Sequence, residues 1–152
     1  EFRRVLFRSN FSAVEGGIGC AGATTPAALA EVKKRGYASV LNLRMASEAG
    51  ADVEAAAAAA RALGLTYIHL PMNSASPDPG LVDAFLAAVL DKKNQPVFVH
   101  CASANRVSAL WMVKRLVVDH WTAEWAEQEA VALGLTNPAL KAFALEQAAK
   151  RR

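Results

Sequence analysis

Cysteine is scarce in this sequence: Cys20 and Cys101 are too few for a disulfide framework and lack metal-ligand spacing. Histidine is scarce as well. His69, His100 and His120 are scattered without a carboxylate cluster, so no metal site is expected and no cofactor is called for; His69 and His120 are assigned to structure. No apolar run approaches the ~18 residues needed to cross a bilayer, so no membrane span is expected. Excess charge is lacking too, once the first nine residues are set apart. Glu1 to Ser9 have no structural periodicity and back-translate as GAATTC followed by AGACGTGTGCTCTTCCGATCT, a restriction site and a sequencing-adapter sequence. Without that scar, three Arg and one Glu disappear and the net charge of +3 becomes +1. No Lys/Arg stripe is left to suggest a nucleic-acid partner.

The remainder is expected to form one domain over residues 10–152, because a chain 53% hydrophobic and 20% charged can bury a full core. Two unpaired thiols fit a reduced, cytoplasmic thiol enzyme. With the natural N-terminus taken to be missing, a periplasmic or secreted location stays open. Oligomeric state is not legible.

Apolar spacing and turn residues give the element order. Phe11 to Gly19 reads as an edge strand diluted by glycine. Thr25-Pro26 opens a helix of about ten residues with Leu29 and Val32 inward, stopped by Gly36. Tyr37 to Leu43 is a buried strand ending in Arg44, which the sequence pairs with Glu48 as a rim-shaping ion pair. Asp52 is placed as the cap of a helix over Val53–Leu63, whose six consecutive alanines suit close packing on a sheet. Thr66 to Leu70 is a strand, Leu81 to Leu90 repeat at helical spacing, and Pro96 to His100 form the central strand. Helices follow to about Val118, from a Thr122 cap to Leu133, and, opened by Asn137-Pro138, from Pro138 to Lys150, with Trp111, Trp121 and Trp125 stapling them together. Helices alternating with short apolar strands predict an α/β fold: a mostly parallel sheet of four to five strands, helices on both faces and a helical C-terminus. Ligands in such folds sit at the C-terminal ends of the strands.

The chemistry is placed in Val97-Phe98-Val99-His100-Cys101-Ala102-Ser103-Ala104-Asn105-Arg106. A cysteine there, at the end of a buried strand and facing a helix N-terminus, meets unpaired N–H groups and a positive dipole end, which favour thiolate. The competing reading is a small buried cysteine that closes a strand. Taken as an anion cradle, the loop gives Cys101 as nucleophile on phosphorus. The N–H groups of Ala102, Ser103, Ala104, Asn105 and Arg106 would hold the non-bridging oxygens, and the Arg106 guanidinium would bind two of them. A proton donor for the leaving oxygen is sought on a covering loop, where Asp78 is the candidate, with helix capping as its other reading. His100 is expected to stiffen the loop through backbone hydrogen bonds, with a satisfied core histidine as its other reading; Ser103 and Ser108 are candidates to position the thiolate or attacking water, with a solvent-facing hydroxyl the favoured reading for either alone. Arg44 shapes the rim. Cys20 is either idle or a resolving thiol.

Tyr37 to Arg44 with Glu48, Tyr67 to Pro71, and Pro96 to Arg106 together resemble the dual-specificity-phosphatase-like branch of the cysteine phosphatases. Within it the sequence is similar to bacterial tyrosine-phosphatase-like domains of the kind fused to NAD kinase, and to beta-lactamase-hydrolase-like phosphatases. The similarity covers residues 14–150. It implies the three-layer fold of those enzymes, Cys101 as nucleophile, Arg106 as phosphate binder, and a phosphorylated small molecule or phosphoprotein, phosphotyrosine included, as partner. The loop departs from the usual pattern: four residues rather than five separate Cys101 from Arg106, none is glycine, and Val107 stands where a hydroxyl residue is usual. That spacing also resembles rhodanese-type sulfurtransferases. Phosphomonoester hydrolysis through a phosphocysteine is therefore expected, with persulfide transfer at Cys101 and non-catalytic phosphate binding as alternatives.

Overall fold

The computed structural model describes residues 12–14 and 18–152; the adapter-like residues 1–9 lie outside them. Five strands form one sheet in the order β1-β2-β5-β3-β4, made of β1 (Ser12–Val14), β2 (Ile18–Ala21), β3 (Ser39–Asn42), β4 (Thr66–His69) and β5 (Val97–His100). All neighbours are parallel except β1 and β2, which pair antiparallel with Ala13 opposite Gly19. The expected edge strand over Phe11–Gly19 is thus corrected to two strands. Phe11 and residues 15–17 lie outside the described residues, and Cys20, placed after that strand, belongs to β2. Glycine diluted the alternation that would have separated them.

The helices are α1 (Leu29–Lys34), α2 (Val53–Ala62), α3 (Gly80–Leu90), α4 (Asn105–Val117), α5 (Ala123–Leu133) and α6 (Pro138–Lys150). A 3-10 turn over Pro26–Ala28 leads into α1. Alternation along β5 splits the core. Val97, Val99 and Cys101 face a large cluster with Phe85, Leu110, Trp111, Leu133 and Leu140. Phe98 and Val40 face a smaller one with Leu29, Val32, Ala56, Ala60 and Leu65. Buried Ala56 and Ala60 are where α2 approaches the sheet, the packing that its alanine run predicts.

The caps correct one expectation and bear out two. Asp52 stands at the start of α2 with φ +39 and makes no side-chain cap hydrogen bond. The Thr122 hydroxyl accepts the Trp125 N–H at 3.3 Å, and Asn137 Oδ1 accepts those of Ala139 and Leu140. Of the three tryptophans, Trp111 is buried and Trp121 receives the Arg115 guanidinium 4.1 Å from its ring centroid. Trp125, expected to staple helices, is instead 64% exposed. The Arg115 group is buried, which is tolerable because Glu129 accepts from Nε and Nη2 at 2.8 and 2.9 Å.

Candidate active site

The sheet fixes where Cys101 stands. β5 is the central strand, and its end is held from both sides: Leu43 N–H donates to His100 O at 2.9 Å, and Cys101 N–H donates to Ala21 O at 3.3 Å. Cys101 is fully buried. The chain then turns through Ala102 and Ser103 to Ala104, which adopts φ +70, a left-handed conformation uncommon outside glycine, and α4 begins at Asn105. Among the described residues, no backbone or side-chain group accepts a hydrogen bond from the N–H groups of Ala102 through Arg106. Such N–H groups at a helix N-terminus suit an anion.

Arg106 is buried and held on one edge. Its Nη1 donates to Glu48 Oε2 at 2.7 Å and to Met72 O at 2.9 Å, with Leu43 O at 3.4 Å; its Nη2 donates to Glu48 Oε1 at 2.8 Å. A guanidinium has five N–H donors. The outer edge, Nε–H and the second Nη2 proton, is left without a carboxylate or carbonyl among the described residues. The hydrogen bonds to Glu48 raise the guanidinium pKa, and the neighbouring Cys101 side chain adds to the rise. In turn, hydrogen bonds from Arg106 hold the Glu48 carboxyl down at about 2, assisted by the Met45 N–H and by Arg44.

Arg44 lies beside this pair and is spent on structure. Its Nη2 donates to Ala49 O at 2.6 Å and its Nη1 to Gly50 O at 3.4 Å, while Nε stands 3.5 Å from Glu48 Oε1. The expected Arg44–Glu48 pair is therefore present, but Glu48 is nearer to Arg106. The Arg44 N–H donates to Asn42 Oδ1, and the ring of His69 meets Arg44 O at 2.6 Å, so both neighbouring strands shape this rim.

Other predicted site residues take up supporting positions. The Ser108 hydroxyl donates to Ala104 O at 2.5 Å, directed at the loop backbone. Ser103 is exposed and accepts from Asn105 Nδ2 at 3.2 Å. His100 is buried against Phe98, and burial, with Arg44 nearby, draws its pKa down to about 3, so the ring is neutral. Its Nδ1 finds no hydrogen-bond partner among the described residues. Asp78 is exposed and its Oδ1 accepts the Gly80 N–H at 2.9 Å at the start of α3, the capping reading; no hydrogen bond joins it to the Cys101 loop. Cys20 shares the large core cluster with Cys101 from the neighbouring strand, opposite Val99. Burial, then the Glu129 carboxylate, pushes its thiol well up, which keeps it protonated. Among the described residues, no three His, Cys, Asp or Glu side chains gather as metal ligands would.

Two contacts had no sequence signal. Sequence spacing pairs Glu48 with Arg44, its i−4 neighbour, and gives no sign of Arg106. Asn105 reaches the turn between α5 and α6, where its Oδ1 accepts the N–H groups of Thr136 and Asn137 at 2.7 and 2.9 Å.

A mostly parallel α/β sheet that ends its central strand in a buried cysteine, with a helix-borne arginine closing the loop, defines the cysteine-phosphatase-like class. The model of the beta-lactamase hydrolase-like protein, phosphatase-like domain, matches residues 10–117, and the chain belongs to that family. Beta-lactamase hydrolase-like proteins from two strains of Xylella fastidiosa, Temecula1 and 9a5c, are each 34% identical over 88 residues, covering 55% of this chain. The chain matches only 20% of the length of those relatives. A DUF442 protein from Shewanella putrefaciens CN-32 superposes with a TM-score of 0.79 at 22% identity, over 94% of this chain and 93% of that one. The catalytic core of the PP-IP phosphatase Siw14 from S. cerevisiae gives 0.73 at 20% identity, over 90% and 84%. TpbA of P. aeruginosa, solved with phosphotyrosine, gives 0.66 at 16% identity, over 93% and 81%. At these identities the likeness to solved structures is one of fold.

Proposed function

We propose that residues 10–152 act as one domain that hydrolyses a phosphomonoester through a phosphocysteine on Cys101. The observation that carries the reading is Arg106, whose inner edge is taken up by Glu48 while its guanidinium stands beside the Cys101 side chain, at a loop whose N–H groups have no acceptor among the described residues. A guanidinium and unpaired N–H donors next to a thiol suit the equatorial oxygens of a phosphoryl group. In the first step the Cys101 thiolate attacks phosphorus, an S–P bond forms, the ester P–O bond breaks, and a proton goes to the leaving oxygen. In the second, water attacks phosphorus, the S–P bond breaks and the thiolate is restored with release of phosphate.

Asp78 is assigned the proton transfers. Its Gly80 contact engages Oδ1, leaving Oδ2 for the leaving group. The substrate class is a phosphorylated small molecule or a phosphoprotein.

A second reading is sulfur transfer through a Cys101 persulfide. What supports it is loop length: only four residues separate Cys101 from Arg106, the spacing that resembles sulfurtransferases. The deciding experiment offers p-nitrophenyl phosphate, and separately thiosulfate with cyanide, to the wild type and to Cys101→Ser. Phosphate release that disappears in the variant is the expected result. Thiocyanate formation without phosphate release would replace the first reading with the second, and phosphate binding with neither turnover would leave a binding module.

A further inference from the structure

We propose that Asn105 is a positioning residue and that, with Gly134, it clamps the Cys101–Arg106 loop onto the turn between α5 and α6; this rests on the reading of that loop as the reactive site. The sheet fixes Cys101 and α4 carries Arg106, but the N–H groups between them have no acceptor among the described residues, so neither element orients them. Side chains do it instead. One Asn105 amide makes five contacts: Oδ1 accepts from Thr136 N–H at 2.7 Å, Asn137 N–H at 2.9 Å and, more weakly, the Thr136 hydroxyl at 3.4 Å, and Nδ2 donates to Thr136 Oγ1 and Ser103 Oγ, both at 3.2 Å. Asn137 in turn caps α6, so the loop is tied to the start of a thirteen-residue helix.

Gly134 presses from the same side. It closes α5 with φ +125, and a Cβ placed on it would stand 3.1 Å from Ala104 Cβ and 3.6 Å from Ser103 O. Ala104, at φ +70, is thereby held between the Gly134 backbone on one side and the Ser108 hydroxyl on its carbonyl. A cradle must keep its donors within about half an ångström of the oxyanion, and side chains locked by a supporting shell are what provide that. The amide is a better tie than a hydroxyl or a carboxylate here, since it must accept from two N–H groups and donate to two hydroxyls at once.

The test reads the cradle, with turnover as a second measure. Iodoacetamide alkylation of Cys101, located by mass spectrometry to separate it from Cys20, is followed against rising inorganic phosphate in the wild type, Asn105→Ala, Gly134→Ala and Thr136→Val. The phosphate needed for half-protection should rise about tenfold in the first two variants and less in Thr136→Val, which loses only the Oγ1 contact. Circular dichroism of the variants should stay native, and kcat on p-nitrophenyl phosphate should fall by a similar factor. If Asn105→Ala or Gly134→Ala fails to fold, Thr136→Val still carries the comparison. Unchanged protection and unchanged kcat in folded variants would overturn the clamp. Failure of phosphate to protect the wild type would overturn the phosphate-cradle reading beneath it.

Discussion

Glu48 meets Arg106 with both carboxylate oxygens, at 2.7 and 2.8 Å, across 58 residues of sequence. The pairing decides which edge of the guanidinium is available and points it along the loop. It also lets a buried cation exist beside an otherwise apolar core, where an unpaired one would be costly. Glu48→Gln keeps one oxygen acceptor but places an amide NH2 against Nη1 or Nη2, so the two-pronged grip is lost. Stability should fall by about 1–3 kcal/mol, read as the urea midpoint at constant slope. kcat/KM for p-nitrophenyl phosphate should fall at least tenfold, since the free edge no longer has a fixed direction. A variant with native kcat/KM would mean that Leu43 O and Met72 O suffice to aim Arg106.

Depressed pKa values shape the acid side of the stability profile, those of His100 and Glu48 beside the lowered carboxyls of Asp119 and Asp83. His100 binds its proton at about 3 in the folded chain, because burial penalises the charged ring, against an ordinary value of 6.5. The unfolded state therefore takes up more protons as pH drops from 6.5 towards 3, and stability is lost over that window. Glu48, held at about 2 by Arg106 against an ordinary 4.5, adds a second loss from pH 4.5 downward. Unfolding midpoints measured at several pH values should decline in two overlapping stages. His100→Phe should flatten the upper stage and leave the lower one, and Glu48→Gln should leave the upper stage and shrink the lower, to which the lowered carboxyls of Asp119 and Asp83 still contribute. A profile level from pH 7 to 5 in the wild type would contradict the burial of a neutral His100.

Phe98 anchors the smaller core cluster. It is fully buried on β5, its ring 5.6 Å from that of Tyr37 in an edge-on arrangement, and it packs with Leu29, Val32 and Val40 under α1 and α2. Phe98→Ala should cost about 3–5 kcal/mol, the range for deleting a buried aromatic ring with partial collapse of the cavity. Because β5 carries Cys101, the variant should also lose activity at temperatures where it is still folded. Denaturant titration alongside turnover at 15 °C and 30 °C separates the two effects.

What was legible in the sequence was local. The β-branched run Val97–Val99, the helical spacing of Leu81 to Leu90 and the Asn137-Pro138 start each lie within one element, and each stands where the periodicity puts it. Cys101 and Arg106 were legible together because one loop carries both. The separate strands β1 and β2 were not, since Gly16, Gly17 and Gly19 remove the alternation by which a strand is read. Glu48 with Arg106, and Asn105 with Thr136 31 residues away, were also hidden. Both depend on which strand ends and which helix turns the topology brings to one rim, and sequence spacing carries no trace of that.

Asp78 illustrates how one side chain can hold two roles that a single substitution separates. Its Oδ1 accepts the Gly80 N–H at 2.9 Å, a contact that asparagine preserves through its own carbonyl oxygen. Asp78→Asn should therefore unfold at the wild-type temperature to within a degree or two, because the start of α3 stays capped. Asparagine has no proton to give at Oδ2. If Asp78 delivers the proton to the leaving oxygen, the variant should lose about a hundredfold in kcat on phenyl phosphate, whose leaving group needs protonation. It should lose far less on p-nitrophenyl phosphate, whose leaving group departs as the anion. The basic limb of the kcat profile on phenyl phosphate should vanish with it. Equal losses on the two substrates, or an unchanged basic limb, would leave Asp78 with its cap alone and assign the proton to water.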